Sequence, residues 1–250
     1  MRNTAFSFWA SIAIMTLATG TACADQVLVI AGGGFAEPMK ALAPAFEART
    51  GHKVVARYGT APQLITMSAE PFDVIITPEG VIGVDATRGR FAAGAPPAVA
   101  KVDIGVAVLK GAAKPDIRTT AALRQALVKA RGVSSIPASA TGAKLDKIYL
   151  KLGIAEPMKT NVRAQTAVPG ITEAVAKGDA EIAIFTLNVL AADPRMDVVG
   201  PIPDEVQDAV VYFGSISKAT KVPEAAQAWL SFLKTPEAAL IIKAKGMTPG

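Results

Sequence analysis

Apolar residues along this chain change period in a regular way. Short runs rich in Val, Ile and Ala stand between longer stretches in which apolar positions recur every three or four residues. Runs of the first kind read as buried strands, and stretches of the second as amphipathic helices. Strands are predicted over 26–30, 54–58, 73–77, 103–109, 133–136, 162–164, 181–185 and 209–217. Helices are predicted over 36–49, where Met39, Leu42, Ala43 and Phe46 share a face before Gly51, and over 63–69. Others follow over 121–130, from Thr141-Gly142 to Gly153, and over 171–177. The last two are 223–233, with Trp229, Phe232 and Leu233 as its core stripe, and 236–245. Strand alternating with helix is the pattern of a parallel α/β protein.

Four of the strand-to-helix turns are built from small or hydroxyl residues: Gly32–Gly34, Gly59–Ala61, Ser139–Gly142 and Val168–Gly170. A helix start leaves backbone N–H groups unpaired and turns the positive end of its dipole outward. Several such starts around one crevice hold an anion without any basic side chain. The glycine triplet is not a dinucleotide fingerprint, because Glu37 stands where the last glycine of G-x-G-x-x-G belongs.

Composition removes several chemistries. Of 250 residues, 51% are hydrophobic and 19% charged, which excludes a disordered chain. The net charge of +5 is dispersed and not interleaved with aromatic residues, so no nucleic-acid partner is expected. One Cys and one His rule out an internal disulfide and any metal site with several histidines. His52 lies in the turn Thr50-Gly51-His52-Lys53, and Glu70, Asp73, Glu79, Asp85, Asp179 and Glu181 are scattered at element ends. No catalytic residue, metal or cofactor is therefore assigned. At the N-terminus, Arg2 precedes an apolar run over 5–17 and then Ala22-Cys23-Ala24. That order predicts an export signal over residues 1–24, cleaved before Asp25. Cleavage removes the sole cysteine, which suits an oxidising periplasm. The expected product is soluble and periplasmic, since no later segment reaches the roughly 20 apolar residues of a membrane span.

The first strand–glycine–helix unit and the closing run Ala228-Trp229-Leu230-Ser231-Phe232-Leu233-Lys234-Thr235-Pro236-Glu237-Ala238 resemble bacterial periplasmic solute-binding proteins. The tail Lys245-Gly246-Met247-Thr248-Pro249 and the stretch from Ala140-Thr141-Gly142 to Gly153 narrow the resemblance to the molybdate-binding protein family of ABC importers. The resemblance implies an α/β fold of two doubly wound lobes joined by two crossing strands, near 103–108 and 210–214. Lobe one would be residues 25–102 plus 212–250, and lobe two 103–211. A small anionic ligand would sit in the interlobe cleft, and the closed monomer would be read by an inner-membrane ABC permease. Carried over position by position, the ligand contacts fall at Gly33 and Gly34, Thr60 and Ala61, Thr141 and Gly142, Val168 and Pro169, and Thr186. Two of them depart from the family pattern: a serine becomes Gly34 and a tyrosine becomes Thr186. This points away from molybdate, whose buried charge needs a tight ring of donors, and towards a small organic polycarboxylate. Arg57, Arg88, Arg90, Lys144 and Arg163 are candidates to assist a carboxylate. Aconitate isomerases resemble the same subgroup, so an isomerase of an unsaturated tricarboxylate is the alternative, with Ser139, Thr141 or a carboxylate as proton shuttle. A sensory receptor using the same closure is a third option.

Overall fold

The computed structural model describes residues 24–250. The export signal read at the N-terminus, apart from Ala24, lies outside the described residues. Two sheets organise the chain. The first contains β1 (Gln26–Gly32), β2 (Lys53–Gly59), β3 (Val74–Pro78), β4 (Ala98–Val102), β10 (Val210–Ile216) and β11 (Thr248–Pro249), in the order β11-β4-β10-β3-β1-β2. The second contains β5 (Ile104–Leu109), β6 (Val133–Ser135), β7 (Val162–Ala164), β8 (Ile182–Thr186) and β9 (Met196–Pro201), in the order β7-β6-β8-β5-β9. The chain passes between sheets at Asp103 and again within 202–209. The result is a two-lobed α/β architecture.

Nine α-helices are described. With the first sheet go α1 (Ala36–Thr50), α2 (Ala61–Met67), α8 (Pro223–Phe232) and α9 (Pro236–Ala244). With the second go α3 (Thr120–Lys129), α4 (Ala140–Lys151), α5 (Ala155–Asn161), α6 (Val168–Ala176) and α7 (Leu187–Ala192). Among the described residues no helix is long and apolar enough to cross a membrane.

Both faces of the first sheet are covered, which is why β1 and β3 read as near-continuous apolar runs. Val27, Val29 and Ala31 point into a core with Met39, Leu42, Phe46 and Trp229, while Ile30 points into another with Leu64, Phe72 and Ile75. Phe46 meets the fully buried Trp229 edge-on at 5.1 Å between centroids and Phe232 at 5.6 Å, an aromatic knot joining α1 to α8. Asp73 ties the start of β3 to β1: its carboxylate accepts the Leu28 N–H at 2.8 Å and the Thr220 hydroxyl at 2.6 Å.

The sheets are mixed where the alternation predicted parallel pairing. β1 runs parallel to β2 and β3, but β10 runs antiparallel to both β3 and β4. In the second sheet β5 is antiparallel to β8 and β9. Those strands adjoin the passages between sheets, so the chain enters each sheet against its direction. Five elements escape the sequence pattern: β4, α5, α7, β9 and β11. Helix α2 begins at Ala61 rather than 63, with Pro62 in its first turn, where a missing N–H costs nothing.

Candidate functional site

The carboxyl ends of β1 and β2 face the starts of α4 and α6 across the gap between sheets. A cavity of about 30 Å3 lies there. Its wall comes from Gly32–Gly34, Gly59–Ala61 and Pro78 of the first lobe and from Ile136, Ser139–Thr141, Val168 and Phe185 of the second. Val210 and Tyr212 of β10 complete it. The four small-residue turns picked out in the sequence therefore meet at one place.

The donors of this wall can be accounted for individually. Ser139 caps α4, accepting the Gly142 N–H at 3.0 Å and donating to the Ile136 carbonyl at 2.7 Å, so its hydroxyl is engaged. Thr60 N–H donates to Gln63 Oε1 at 2.7 Å, and Gly170 N–H to the Ala167 carbonyl at 3.1 Å. Pro62 and Pro169 occupy the second position of α2 and α6 and have no N–H. The N–H groups of Gly34, Ala61, Ala140, Thr141 and Val168 have no partner among the described turn and cap hydrogen bonds. They are the backbone donors on offer to a ligand.

Of the carried-over positions, Gly33, Gly34, Thr60, Ala61, Thr141 and Val168 line the cavity; Gly142, Pro169 and Thr186 do not. Gly142 packs beneath the turn, against the Ile136 and Pro137 carbonyls. Pro169 faces an outer groove of about 830 Å3 that shares Gly33, Gly34, Gly59, Thr60 and Val168 with the cavity. Val168 lines both spaces, and its Cγ2 stands 2.9 Å from the point where a side chain on Gly33 would begin. Thr186 is fully buried at the start of α7, and its Oγ1 has no hydrogen-bond partner.

None of the five basic candidates reaches the cavity. Arg57 pairs with Glu70 at 2.5 Å and Arg88 pairs with Asp85. Arg90 donates to Ser68 Oγ at 2.8 Å, and Arg163 to the Thr160 carbonyl at 2.9 Å. Lys144 of α4 lies 2.6 Å from Asp208 and pairs with Glu79, which follows β3 in the first lobe. Burial alone pulls the Lys144 ammonium down, but its hydrogen bonds to Asp208 and Glu79 outweigh that and hold it above its ordinary value. His52 accepts the Asp25 N–H at 3.1 Å and stacks on Phe46, away from the cavity. Among the described residues no cluster of His, Cys, Asp and Glu suits a metal.

The sequence reading missed Tyr212, Pro78, Phe185 and Val210. Burial pushes the Tyr212 phenol well above its ordinary pKa, so it is a protonated donor at neutral pH. Alternation along β10 places Tyr212 inward, yet only the register, Tyr212 opposite Pro78, brings it to the cavity end of the sheet.

Known proteins can be set beside this geometry. The chain is 31% identical over 229 residues to the aconitate isomerase of a Pseudomonas species, covering 88% of this chain and 87% of that protein. It is 30% identical over 260 residues to the molybdate-binding protein of Azotobacter vinelandii, covering 96% and 98%. The fold matches the solved periplasmic molybdate-binding protein of Azotobacter vinelandii with a TM-score of 0.75 at 20% identity, over 90% of this chain and 99% of that one. Residues 27–248 match the family model of the bacterial extracellular solute-binding proteins, and the chain belongs to that family.

Proposed function

We propose that this protein captures a small organic anion, a polycarboxylate, between its lobes in the periplasm and delivers it to an ABC permease of the inner membrane. Lobe one would be 25–102 plus 212–250 and lobe two 103–211, closing as a monomer about the passages between the sheets. The observation that carries this reading is a charge-free cavity wall. Among its described residues stand N–H groups from four helix starts, hydroxyls and a protonated phenol, with no carboxylate, Lys, Arg or His. Donors without counter-charge suit a ligand that brings its own negative charge. A space of about 30 Å3 takes one compact anionic group. The groove beyond Val168 offers room for the rest of a larger ligand as the lobes part.

A thermal-shift panel of molybdate, tungstate, sulfate, phosphate, citrate, cis-aconitate and trans-aconitate tests the ligand class. A ligand at a hundred times its Kd stabilises the fold by about 2.7 kcal/mol, a rise in Tm of roughly 5–10 °C at this size. The reading expects that rise with a carboxylate. A rise with molybdate and none with any carboxylate rejects it.

The likeness to an aconitate isomerase favours a second reading, an isomerase acting on an unsaturated tricarboxylate. Its proton shuttle would have to be sought at Thr141 or Tyr212, since Ser139 is engaged in its cap. Neither group is an effective base at neutral pH. Proton NMR of trans-aconitate incubated with the protein separates the two readings, because only the isomerase converts it.

A further inference from the structure

We propose that Gly34 and Tyr212 form one unit: the absent side chain at 34 makes room for the Tyr212 hydroxyl in the cavity wall, where it donates to the bound anion and helps set specificity. This rests on the anion-binding reading above and adds the donor that the four turns lack.

Glycine at 34 is not demanded by its backbone. Among the described residues eleven glycines have positive φ, and Gly34 is not one of them. The demand is steric. A Cβ added at Gly34 would collide with Tyr212 Oη, whereas the ring carbon Cζ would lie 3.5 Å away, at ordinary contact distance. It is therefore the hydroxyl, not the ring, that excludes a side chain.

The ring itself is fixed. Its Cε1 stands 3.0 Å from the Cβ position of Gly32, and its centroid is 5.5 Å from that of Phe35. The pairing of β10 with β4 is irregular between Tyr212 and Phe213, and such bulges re-aim a side chain. The second lobe brings polar atoms to the same corner. Thr186 Oγ1, buried and unpartnered, lies 3.7 Å from the Cβ position at 34. Asn188 donates to the Gly34 carbonyl at 2.6 Å. Residue 34 is thus a meeting point of both lobes, and a side chain there would take the place of the phenol oxygen. A phenol O–H is a single directional donor, suited to one oxygen of a carboxylate or oxyanion.

The test is a reciprocal exchange: Tyr212→Phe, Gly34→Ser and the double variant, titrated calorimetrically with citrate, trans-aconitate and molybdate. Tyr212→Phe should weaken the best probe about 10- to 100-fold, as for a lost hydrogen bond to a charged group. Gly34→Ser alone should also weaken it, by steric conflict with Tyr212. The double variant should recover affinity over either single one, because the new hydroxyl then fits. Affinity of Tyr212→Phe within twofold of wild type overturns the proposal. If wild type binds no probe, the anion-binding reading fails, and the melting temperatures of the unliganded proteins still decide the coupling. Gly34→Ala should lower Tm by several degrees in wild type and by much less in Tyr212→Phe. Equal losses in the two backgrounds refute the unit; unequal losses support it.

Discussion

Glu79→Gln isolates the ion pair that joins the lobes. Lys144 is nearly enclosed, its side chain 10% exposed, while Glu79 and Asp208 are 45% and 39% exposed. The variant leaves the Lys144–Asp208 contact in place and removes only the charge supplied by the first lobe. At an effective dielectric constant of about 20, opposite charges at contact attract by roughly 4 kcal/mol. Water around the half-exposed Glu79 and the cost of fixing its side chain reduce this to about 1 kcal/mol. If that contact helps hold the lobes shut, its loss lowers ligand affinity about fivefold. Calorimetric titration at low salt should show this for the tightest ligand of the panel, with a faster off-rate. In 1 M salt, where screening acts within about 3 Å, wild type and variant should converge. Lys144→Met should do more, since it leaves two carboxylates without their cation. Equal affinities for wild type and Glu79→Gln at low salt, with equal radii of gyration by X-ray scattering, refute the latch.

Hydrogen bonds from the Arg195 side chain, first among the causes, hold the Asp193 carboxyl well below the usual carboxylate range. Its stabilising contribution is therefore complete above pH ~4 and lost as the pH falls below that. The Tm gap between wild type and Asp193→Asn should accordingly narrow from pH 6 to pH 3. Asp73→Ala leaves the Leu28 N–H and the Thr220 hydroxyl without their acceptor. Chemical denaturation should record a loss of about 2–4 kcal/mol. Thr60→Ala should weaken ligand binding with only a small fall in Tm of about 2–4 °C, as for a lost helix cap; unchanged affinity would place the ligand elsewhere. Val168→Ala removes methyls that stand beside Gly33 where cavity and groove adjoin. Stopped-flow displacement should show ligand release several-fold faster, and an unchanged rate would deny Val168 that role.

The long periodic helices were legible because their faces pack on a sheet. In α1, Met39, Leu42 and Phe46 are all buried, and Gly51 ends the helix at φ 78°. The six-residue α7 was not legible, because it continues the apolar run of β8 and is too short for a period to emerge. Strand β9 is half-buried with a bulge against β5, so no alternation marks it. At the site, the turns could be found because their N–H groups belong to the backbone and follow from the strand-to-helix change. Tyr212 could not, since its place depends on a pairing made across the whole chain, Tyr212 with Pro78. The basic residues differ, because residue type alone does not place them: Arg57, Arg88 and Lys144 are paired with Glu70, Asp85 and Asp208, and Arg90 and Arg163 donate to Ser68 and the Thr160 carbonyl.

The placing of β10 between β3 and β4 sets an order of events during folding. Strands β5 to β9 come from one unbroken stretch and can assemble as soon as that stretch is free. The first sheet cannot, because its central gap is filled by residues 210–216, which leave the ribosome only after all of β5 to β9. Contacts so distant in sequence form slowly. Until they do, β3 and β4 offer open edges to other chains, the interval in which a chaperone would matter most.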